Sequence, residues 1–315
     1  MRVAMLGVGH WHAGMHAKGV LDAGGEMAGV WDEDVGEVAR FVDGFGGIAR
    51  PNAAAAIDDR PDLIIALGRG PAAATQLAWL IEQGIPILAD KPIGLNYADV
   101  APLADAAERD NCFVSVALVN RIGGALEAVT HCGRLVHFHF RIINGHPRRY
   151  REWHVPWMLD PQQSGGGALR NLGVHGVHAF VTFAGQEPVH IAHATFHSVF
   201  GEAVEDYAAV VLEARDGMVG IIEAGYTHPD VGGSFEMRIN GEHGALVDDG
   251  TRLLAVPPQT LDQGAYVPSN QRYGKFVADT LGRIAAGRPP LVSLREFATA
   301  TALVDRCYRR SQREA

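Results

Sequence analysis

The residues best suited to handle a proton fall in two short segments of the chain. Lys91 follows a predicted strand at 86–89. In a doubly wound sheet, ligands bind beyond the carboxyl ends of strands, and a lysine there can hydrogen-bond a substrate hydroxyl or transfer a proton. The second segment carries Asn171, His175 and His178, which are spaced four and three apart on a predicted helix and so share one face. Both segments are therefore candidate parts of a catalytic site.

The helix face that carries the two histidines has other interpretations. The polar groups could be satisfied at a domain interface, or the histidines could bind zinc, because helical histidines three or four apart can chelate it. No cysteine or carboxylate accompanies this pair, and the chain has 15 histidines, so such spacings also arise by chance. We expect no metal at the site.

A glycine turn near the start of the chain predicts a dinucleotide site. It joins a predicted strand at 2–6 to a predicted helix at 13–23. Its first glycine permits a tight bend, and its second lets the backbone approach a pyrophosphate at the helix N-terminus. The third glycine of the usual fingerprint is replaced by histidine. The residues expected to face the cofactor in this turn are Gly7, Gly9, His10, Trp11 and His12.

The end of the second predicted strand indicates which cofactor binds. Strand 26–31 runs into Asp32, and Glu33 and Asp34 follow it. A carboxylate at this position can accept hydrogen bonds from the adenosine ribose hydroxyls. Three successive carboxylates would repel a 2′-phosphate, and no arginine is adjacent to them in the sequence. We therefore predict NAD rather than NADP.

The first 120 residues alternate short apolar runs with helical patterns. This alternation predicts an α/β Rossmann domain over 1–120, with a doubly wound parallel sheet whose strands are buried on both faces. Strands are predicted at 2–6, 26–31, 63–67, 86–89 and 113–118, and helices at 13–23, 35–45, 72–83 and 96–110.

Beyond about residue 120, consecutive strands are joined by short turns, which favours antiparallel pairing. We predict an α+β domain over 121–315 with an open, mainly antiparallel sheet. Strands are predicted at 135–143, 189–199, 208–214, 219–224, 235–240 and 245–247, and helices at 123–132, 168–183, 272–286 and 293–310. An exposed sheet face favours a homodimer or homotetramer.

The composition excludes several classes of protein. A net charge of −9 argues against nucleic-acid binding. No apolar run approaches the roughly 20 residues needed to span a bilayer, and the N-terminus reaches glycine too soon for a signal peptide. The three cysteines show no CxxC spacing. We expect reduced thiols, a cytoplasmic location and no membrane partner.

These features together resemble the Gfo/Idh/MocA family, named for glucose–fructose oxidoreductase, inositol dehydrogenase and a rhizopine-catabolism protein. The resemblance covers nearly the whole chain. Its carriers are Asp32 and three segments: VAMLGVG at 3–9, GIPILADKP at 84–92 and SGGGALRNLGVH at 164–175. The second segment looks like the family's G-x-x-V-x-x-E-K-P, and the third looks like G-G-G-x-x-x-D-x-G-x-H.

The resemblance implies an NAD-dependent oxidoreductase that transfers hydride to or from a carbinol of a sugar, cyclitol or related polyol. Lys91 matches the motif lysine, and His175 matches a histidine that commonly serves as acid or base. On this hypothesis Lys91 and Asn171 hold the substrate hydroxyl while His175 removes its proton.

The resemblance also suggests further contacts. The cofactor is expected to meet Gly7, Gly9, His10, Trp11, His12, Asp32, Gly68, Arg69, Asp90 and Lys91, and the substrate to meet Asn120, Arg121, Trp153 and His178. Arginines at 148, 149 and 151 could bind an acidic group, and aromatic residues at 153, 154 and 157 could stack on a sugar ring. An ordinary surface loop would explain these last two groups equally well.

The chain departs from the family pattern at four places. Asp90 replaces glutamate, Asn171 replaces aspartate, His178 stands where aspartate is frequent, and Gly68-Arg69-Gly70-Pro71 replaces Thr-Pro-Asn. An amide cannot take a proton, although it can still hydrogen-bond a hydroxyl. Two alternatives therefore stay open: an NAD-dependent lyase or glycosidase that works by transient oxidation, and a non-catalytic NAD- or ligand-binding protein.

Overall fold

The computed structural model describes residues 1–185, 188–229, 232–257 and 266–314. Its first sheet has six strands in the order β3-β2-β1-β4-β5-β6, and every neighbouring pair is parallel. The strands are β1 (Arg2–Leu6), β2 (Glu26–Trp31), β3 (Ile48–Ala49), β4 (Leu63–Ala66), β5 (Ile87–Ala89) and β6 (Val114–Val116). The strand order reverses between β1 and β4, which is where a doubly wound sheet binds its ligands. The predicted Rossmann fold is confirmed.

Helices cover both faces of this sheet, so the interiors of β1 and β4 are fully buried. The helices are α1 (Ala13–Asp22), α2 (Val35–Phe45), α3 (Ala53–Ile57), α4 (Gly70–Glu82) and α5 (Tyr97–Arg109). Side chains cap three of them. Asp34 accepts a hydrogen bond from the Gly36 amide at 2.8 Å at the start of α2, and Asn52 and Asn96 cap α3 and α5.

The second sheet has seven strands in the order β13-β12-β11-β7-β10-β9-β8. All neighbouring pairs are antiparallel except β7 and β10, which are parallel. The predicted α+β domain with a mainly antiparallel sheet is confirmed. The strands are β7 (Leu135–Gly145), β8 (Val189–His197), β9 (Tyr207–Ala214), β10 (Val219–His228), β11 (Gly233–Gly241), β12 (Ala245–Asp248) and β13 (Leu253–Val256).

Helix α9 (Val174–Ala184) packs on one face of the second sheet. The ring of Phe138 in β7 lies 6.2 Å from the ring of Phe180 and 5.5 Å from that of Phe183. The remaining helices are α6 (Ala125–Ala128), α7 (Arg149–Glu152), α8 (Pro161–Ser164), α10 (Arg272–Ala285) and α11 (Leu294–Glu314). The aromatic layer leaves little room at Gly220, where a Cβ would lie 2.5 Å from Cε2 of Phe180.

The chain divides into two compact units that are discontinuous in sequence. The first contains 1–119, 162–164 and 273–298, and the second contains the remaining described residues. The sequence-based division at residue 120 placed all of 121–315 in one domain and therefore differs at the two inserted segments. The segment 273–298 belongs with the first unit because the Val116 amide donates to the Val292 carbonyl at 3.0 Å and Gly274 packs against Gly19.

Local differences from the sequence predictions occur where elements are short. β3, α3 and β13 were not predicted, since two to five residues show little periodicity. The predicted helix at 168–183 begins with a π-helical turn, Leu169–Gly173, before α9. The expectation that side chains at α-helical spacing share one face therefore holds for His175 and His178. It does not hold for Asn171, which precedes α9.

The described part of the chain contains no helix that is both long enough and apolar enough to cross a membrane. Cys112, Cys132 and Cys307 are free thiols. Burial raises the pKa of Cys307 to about 12, so this thiol stays protonated.

Candidate cofactor and substrate sites

The glycine turn of the first unit holds the carboxylate at the end of β2. Gly7 has a φ of +83°, a backbone conformation that residues other than glycine rarely adopt. Its amide donates to the Trp31 carbonyl at 2.8 Å. The Gly9 amide donates to Oδ2 of Asp32 at 2.8 Å. Asp32 is only 3% exposed. Sequence reasoning placed these three residues at a cofactor site, and the structure brings them together.

An arginine also lies on this carboxylate. Nη2 of Arg69 is 3.2 Å from Oδ1 and 3.3 Å from Oδ2 of Asp32. The absence of an arginine beside Asp32 was part of the sequence argument for NAD, and in three dimensions that part is wrong. Arg69 is 37 residues away in the sequence and precedes α4, in the loop after β4, which lies on the other side of β1 from β2. Adjacency along the chain therefore could not show the contact.

A cavity of about 400 Å³ opens beside this turn within the first unit. Its walls include Gly7, Asp32, Gly68, Arg69 and Gln76. A buried acceptor, a glycine turn that admits close backbone approach and an adjoining cavity are the features that a dinucleotide needs. The residues present therefore fit NAD. Asp32 can accept hydrogen bonds from the ribose hydroxyls when Arg69 shares the carboxylate or moves away from it.

A buried cluster of histidines surrounds Asp90. Nδ1 of His12 is 2.8 Å and Nε2 of His16 is 3.0 Å from Oδ2 of Asp90. The hydroxyl of Tyr273 lies 2.8 Å from Nδ1 of His12. His16 and Tyr273 were not among the predicted site residues. His16 follows His12 by four residues, so the helical period could have indicated it, whereas Tyr273 comes from a distant part of the chain.

The burial of this cluster sets its protonation states. Burial lowers the pKa of His12 to about 4 despite the favourable charge of Asp90. Burial likewise holds the pKa of His10 well below its usual value. For Asp90, burial alone would raise the pKa, but contacts with His12, His16 and His10 keep it well below its usual range. At neutral pH the contact of His12 with Asp90 is therefore a hydrogen bond from a neutral imidazole to a carboxylate.

Among the described residues, the group of three side chains that could together bind a metal ion lies in this same cluster. Donor atoms of His10, His12 and Asp90 all lie within 4.8 Å of one another, a set that suits a transition metal. His175 and His178 belong to no such group of three among the residues described. In this structure Oδ2 of Asp90 is hydrogen-bonded to His12 and His16.

Lys91 is buried in the first unit, next to the cluster. Its amide donates to Oδ1 of its neighbour Asp90 at 2.7 Å, and Nζ lies 5.9 Å from the centroid of the Trp11 ring. The Lys91–Pro92 peptide bond is cis. Trp11 in turn stacks on His10, with the ring centroids 3.9 Å apart. The aromatic residues of the glycine turn thus form one wall around Lys91.

In the second unit, the π-helical turn carries a buried amide between two tyrosines. Nδ2 of Asn171 donates to the hydroxyl of Tyr150 at 2.8 Å and to that of Tyr226 at 3.0 Å. All three side chains are almost completely buried. Burial and the adjacent Tyr150 hold the pKa of Tyr226 well above its usual value, so Tyr226 stays neutral. π-Helical turns frequently occur at functional sites.

A glutamate from a distant loop fixes the start of this motif. The carboxylate of Glu205 accepts from the amides of Gly167 and Leu169 at 2.8 and 3.0 Å, and from the Tyr308 hydroxyl at 2.7 Å. Burial raises the pKa of Glu205. Arg170 is held by Asp305 in the same unit. Sequence reasoning missed these contacts because Glu205 has no local signal that connects it to the motif.

The other predicted substrate residues have different surroundings. His175 and His178 are buried on α9. Oδ1 of Asn120 accepts from Nη1 of Arg272 at 2.9 Å, and Arg121 forms an ion pair with Glu127. Trp153 is largely exposed at the end of α7. The structure brings Asn171 together with Tyr150 and Tyr226, and it brings neither Asn120 nor Arg121 into that cluster.

The fold and the first site define a class of protein: a Rossmann domain with a dinucleotide turn, joined to a domain with an open, mostly antiparallel sheet. Residues 1–118 match the family described as an oxidoreductase family with an NAD-binding Rossmann fold, and residues 128–247 match the GFO/IDH/MocA C-terminal domain. The chain belongs to the Gfo/Idh/MocA oxidoreductase family, and its first unit is an NAD-binding Rossmann domain.

One curated relative supports the assignment in sequence. The rhizopine catabolism protein MocA of Rhizobium meliloti is 26% identical over 160 residues, which are 49% of this chain and 48% of that protein. The match thus spans about half the length of the curated relative.

Solved structures share the fold over the full chain. Levoglucosan dehydrogenase in complex with NADH and levoglucosan has a TM-score of 0.87 at 15% identity, covering 100% of this chain and 98% of the other. The WlbA dehydrogenase from Bordetella pertussis, in complex with NADH and UDP-GlcNAcA, has a TM-score of 0.85 at 16% identity, covering 100% and 96%. GenD2 from gentamicin A biosynthesis, in complex with NAD, has a TM-score of 0.81 at 19% identity, covering 100% and 95%.

Proposed function

We propose that the protein is an NAD-dependent dehydrogenase or reductase that acts on a CH–OH group of a sugar, cyclitol or related polyol. The observation that carries the proposal is the buried Asp32 held by the Gly9 amide beside a cavity in the NAD-binding domain. The structural neighbours that were solved with NAD or NADH and sugar-like ligands support the same class of reaction.

The chain's own residues supply positioning and proton transfer. Lys91 donates a hydrogen bond to the substrate hydroxyl. A neighbouring hydroxyl of the substrate donates to the carbonyl oxygen of Asn171, whose NH2 group is already committed to Tyr150 and Tyr226. His175 removes the hydroxyl proton, a contribution of roughly 10²–10⁴-fold for general-base catalysis. NAD, when bound, supplies the hydride acceptor.

Thermal unfolding with NAD and with NADP tests the cofactor. A saturating ligand at about a hundredfold excess over Kd stabilises the folded state by about 2.7 kcal/mol. We expect stabilisation by NAD. If neither nucleotide shifts the unfolding temperature, and denatured protein releases no nucleotide, the proposal fails.

NADH formation across a panel of sugars, cyclitols and polyols tests the reaction. His175→Asn should lower kcat/KM by about 10²–10⁴-fold while NAD still binds, and Lys91→Met should lower kcat/KM as well. His190→Asn is the matched control, because His190 is an exposed residue of β8 that contacts only Glu213 among the residues described. Substrate consumption without net NADH would instead indicate an elimination through transient oxidation.

Assembly and location complete the proposal. We place the protein in the cytoplasm as a homodimer or homotetramer that associates through the open face of the second sheet. On that face Ile221 pairs with Val211 and with His139, and all three are partly exposed in the single chain. Sedimentation velocity measures the assembly state, and Ile221→Lys should shift it towards the monomer.

A further inference from the structure

Three arginines lie close together at and just before α7, and the structure separates one of them from the other two. Nε of Arg148 lies 3.6 Å from a carboxylate oxygen of Glu152. Arg151 contacts both carboxylate oxygens of Glu202 at 2.7 Å. These two guanidinium groups are exposed and their charges are compensated.

Arg149 differs from its two neighbours because it is buried. It is 9% exposed. Nη2 donates to the Tyr150 hydroxyl at 3.0 Å, while Nε is buried without a hydrogen bond among the residues that the structure describes. No carboxylate in those same residues forms an ion pair with Arg149. Because an arginine keeps its charge in proteins, a buried guanidinium without an anion is unfavourable.

Aromatic rings surround the guanidinium of Arg149, and no carboxylate of the described residues balances its charge. Its central carbon lies 4.9 Å from the centroid of the Tyr150 ring, 5.2 Å from that of Trp153 and 5.6 Å from that of Tyr226. Such cation–π contacts hold an arginine in place, yet they supply no negative charge to balance it.

The same tyrosine connects Arg149 to the substrate motif. The hydroxyl of Tyr150 accepts from Arg149 at 3.0 Å and from Nδ2 of Asn171 at 2.8 Å. Two hydrogen bonds through the Tyr150 hydroxyl therefore connect Arg149 to Asn171. Asn171 is the amide that binds substrate in the proposed function. All of these residues belong to the second unit.

We propose that Arg149 binds a carboxylate of the substrate, so that the substrate is an acidic sugar, cyclitol or polyol acid rather than a neutral one. This inference rests on the proposed function. A carboxylate matches the planar fork of a guanidinium and balances its single charge. A phosphate monoester carries nearly two negative charges at neutral pH, and the two neighbouring arginines are already paired with glutamates.

Paired substrates that differ only in the acidic group test the proposal. The pairs are D-glucose with D-glucuronate and D-galactose with D-galacturonate, together with D-glucose 6-phosphate. The wild type should turn over the better carboxylate with a kcat/KM about tenfold or more above that of its neutral partner, as expected for one charge-assisted hydrogen-bonded pair. Arg149→Met should remove the preference, and Arg149→Lys should restore part of it.

Arg151→Met is the matched control, because Arg151 is exposed and paired with Glu202. It should keep the preference for the carboxylate. Equal losses on both members of a pair in Arg149→Met would overturn the proposal in favour of a purely structural arginine. Preference of the wild type for the neutral sugar, or for the sugar phosphate, would also overturn it.

A second readout does not depend on turnover. Carboxylates should raise the unfolding temperature of the NAD-saturated wild type and not that of Arg149→Met, whereas the neutral partners should act on both alike. If NAD binds and carboxylates have no effect in either assay, Arg149 is not an anion site and the proposed function stands. If NAD does not bind at all, the proposed function fails, and the carboxylate shift without NAD still decides the role of Arg149.

Discussion

Arg69 spans the glycine turn and touches both carboxylate oxygens of Asp32, at 3.2 and 3.3 Å. A Cβ on Gly9 would collide with the same guanidinium, so Arg69 lies in the space that a dinucleotide would approach. An arginine beside the carboxylate that binds ribose can accommodate a 2′-phosphate. The acidic end of β2 and this arginine therefore act in opposite directions on the choice between NAD and NADP.

Arg69→Met should sharpen the preference for NAD. Removing the guanidinium leaves the Asp32 carboxylate to face a 2′-phosphate alone, so the ratio of the NADP Kd to the NAD Kd should rise about tenfold, equivalent to roughly 1.4 kcal/mol. Isothermal titration with each nucleotide measures the ratio. Arg109→Met is the control, since Arg109 is an exposed residue of α5 paired with Asp110. An equal weakening for both nucleotides would mean that Arg69 contacts a group common to them.

The surroundings of Asp32 in the first unit could be predicted from the sequence because their determinants are local. The glycine turn, the end of β2 and the loop after β5 each follow a strand whose apolar run is easily recognised, and parallel strands bring these loops to one edge. Lys91 and Asp32 became candidate site residues in this way. The contact of Arg69 with Asp32 was missed because it depends on the order of the strands, in which β2 and β4 flank β1.

The conformation of the candidate substrate motif in the second unit was less accessible to sequence reasoning. The motif segment at 164–175 was recognised, yet its conformation depends on Glu205 and Tyr308, which lie far away in sequence. The three arginines near α7 look alike in the sequence. Only burial and the positions of two glutamates distinguish Arg149 from its neighbours.

The histidine cluster predicts how stability depends on pH. The pKa of folded His12 is about 4, below the value of about 6.5 in an unfolded chain. Between these values the unfolded state binds more protons, so the free energy of unfolding falls as the pH is lowered from 6.5 towards 4, by up to about 1.4 kcal/mol per pH unit. Asp90 has a lowered pKa, and its contribution is lost only below about pH 4.

Urea unfolding between pH 7 and 4.5 measures this dependence, with His12→Gln as the comparison. Taking the difference between the two proteins cancels groups that both share, including Glu205, whose raised pKa acts in the opposite direction. The slope of the variant should be shallower. Identical slopes would show that His12 is protonated in the folded protein in this range.

Glu205→Gln should disturb the substrate motif without affecting cofactor binding. Glutamine offers one acceptor oxygen where the carboxylate serves the amides of Gly167 and Leu169 and the Tyr308 hydroxyl. A buried amide left without an acceptor costs about 1–3 kcal/mol, and kcat/KM should fall with it. The NAD Kd should remain unchanged because Asp32 and the glycine turn belong to the first unit. Glu213→Gln, on the exposed part of β9, is the control.

Gly29→Ala tests the packing that brings the end of β2 to the cofactor turn. A Cβ at this position would lie 2.7 Å from the carbonyl carbon of Ala56 at the C-terminal end of α3, and backbone cannot move aside as a flexible side chain can. We expect overpacking to cost about 1–3 kcal/mol. Gly44→Ala is the matched control: Gly44 lies within α2 with no atom within 4 Å of its Cβ position, so alanine there should stabilise by about 0.5–1 kcal/mol. Urea midpoints of the two variants should therefore move in opposite directions.

Because β2 positions Asp32, Gly29→Ala should also weaken NAD binding. A destabilised variant with unchanged NAD affinity would show that the end of β2 holds its position independently of α3.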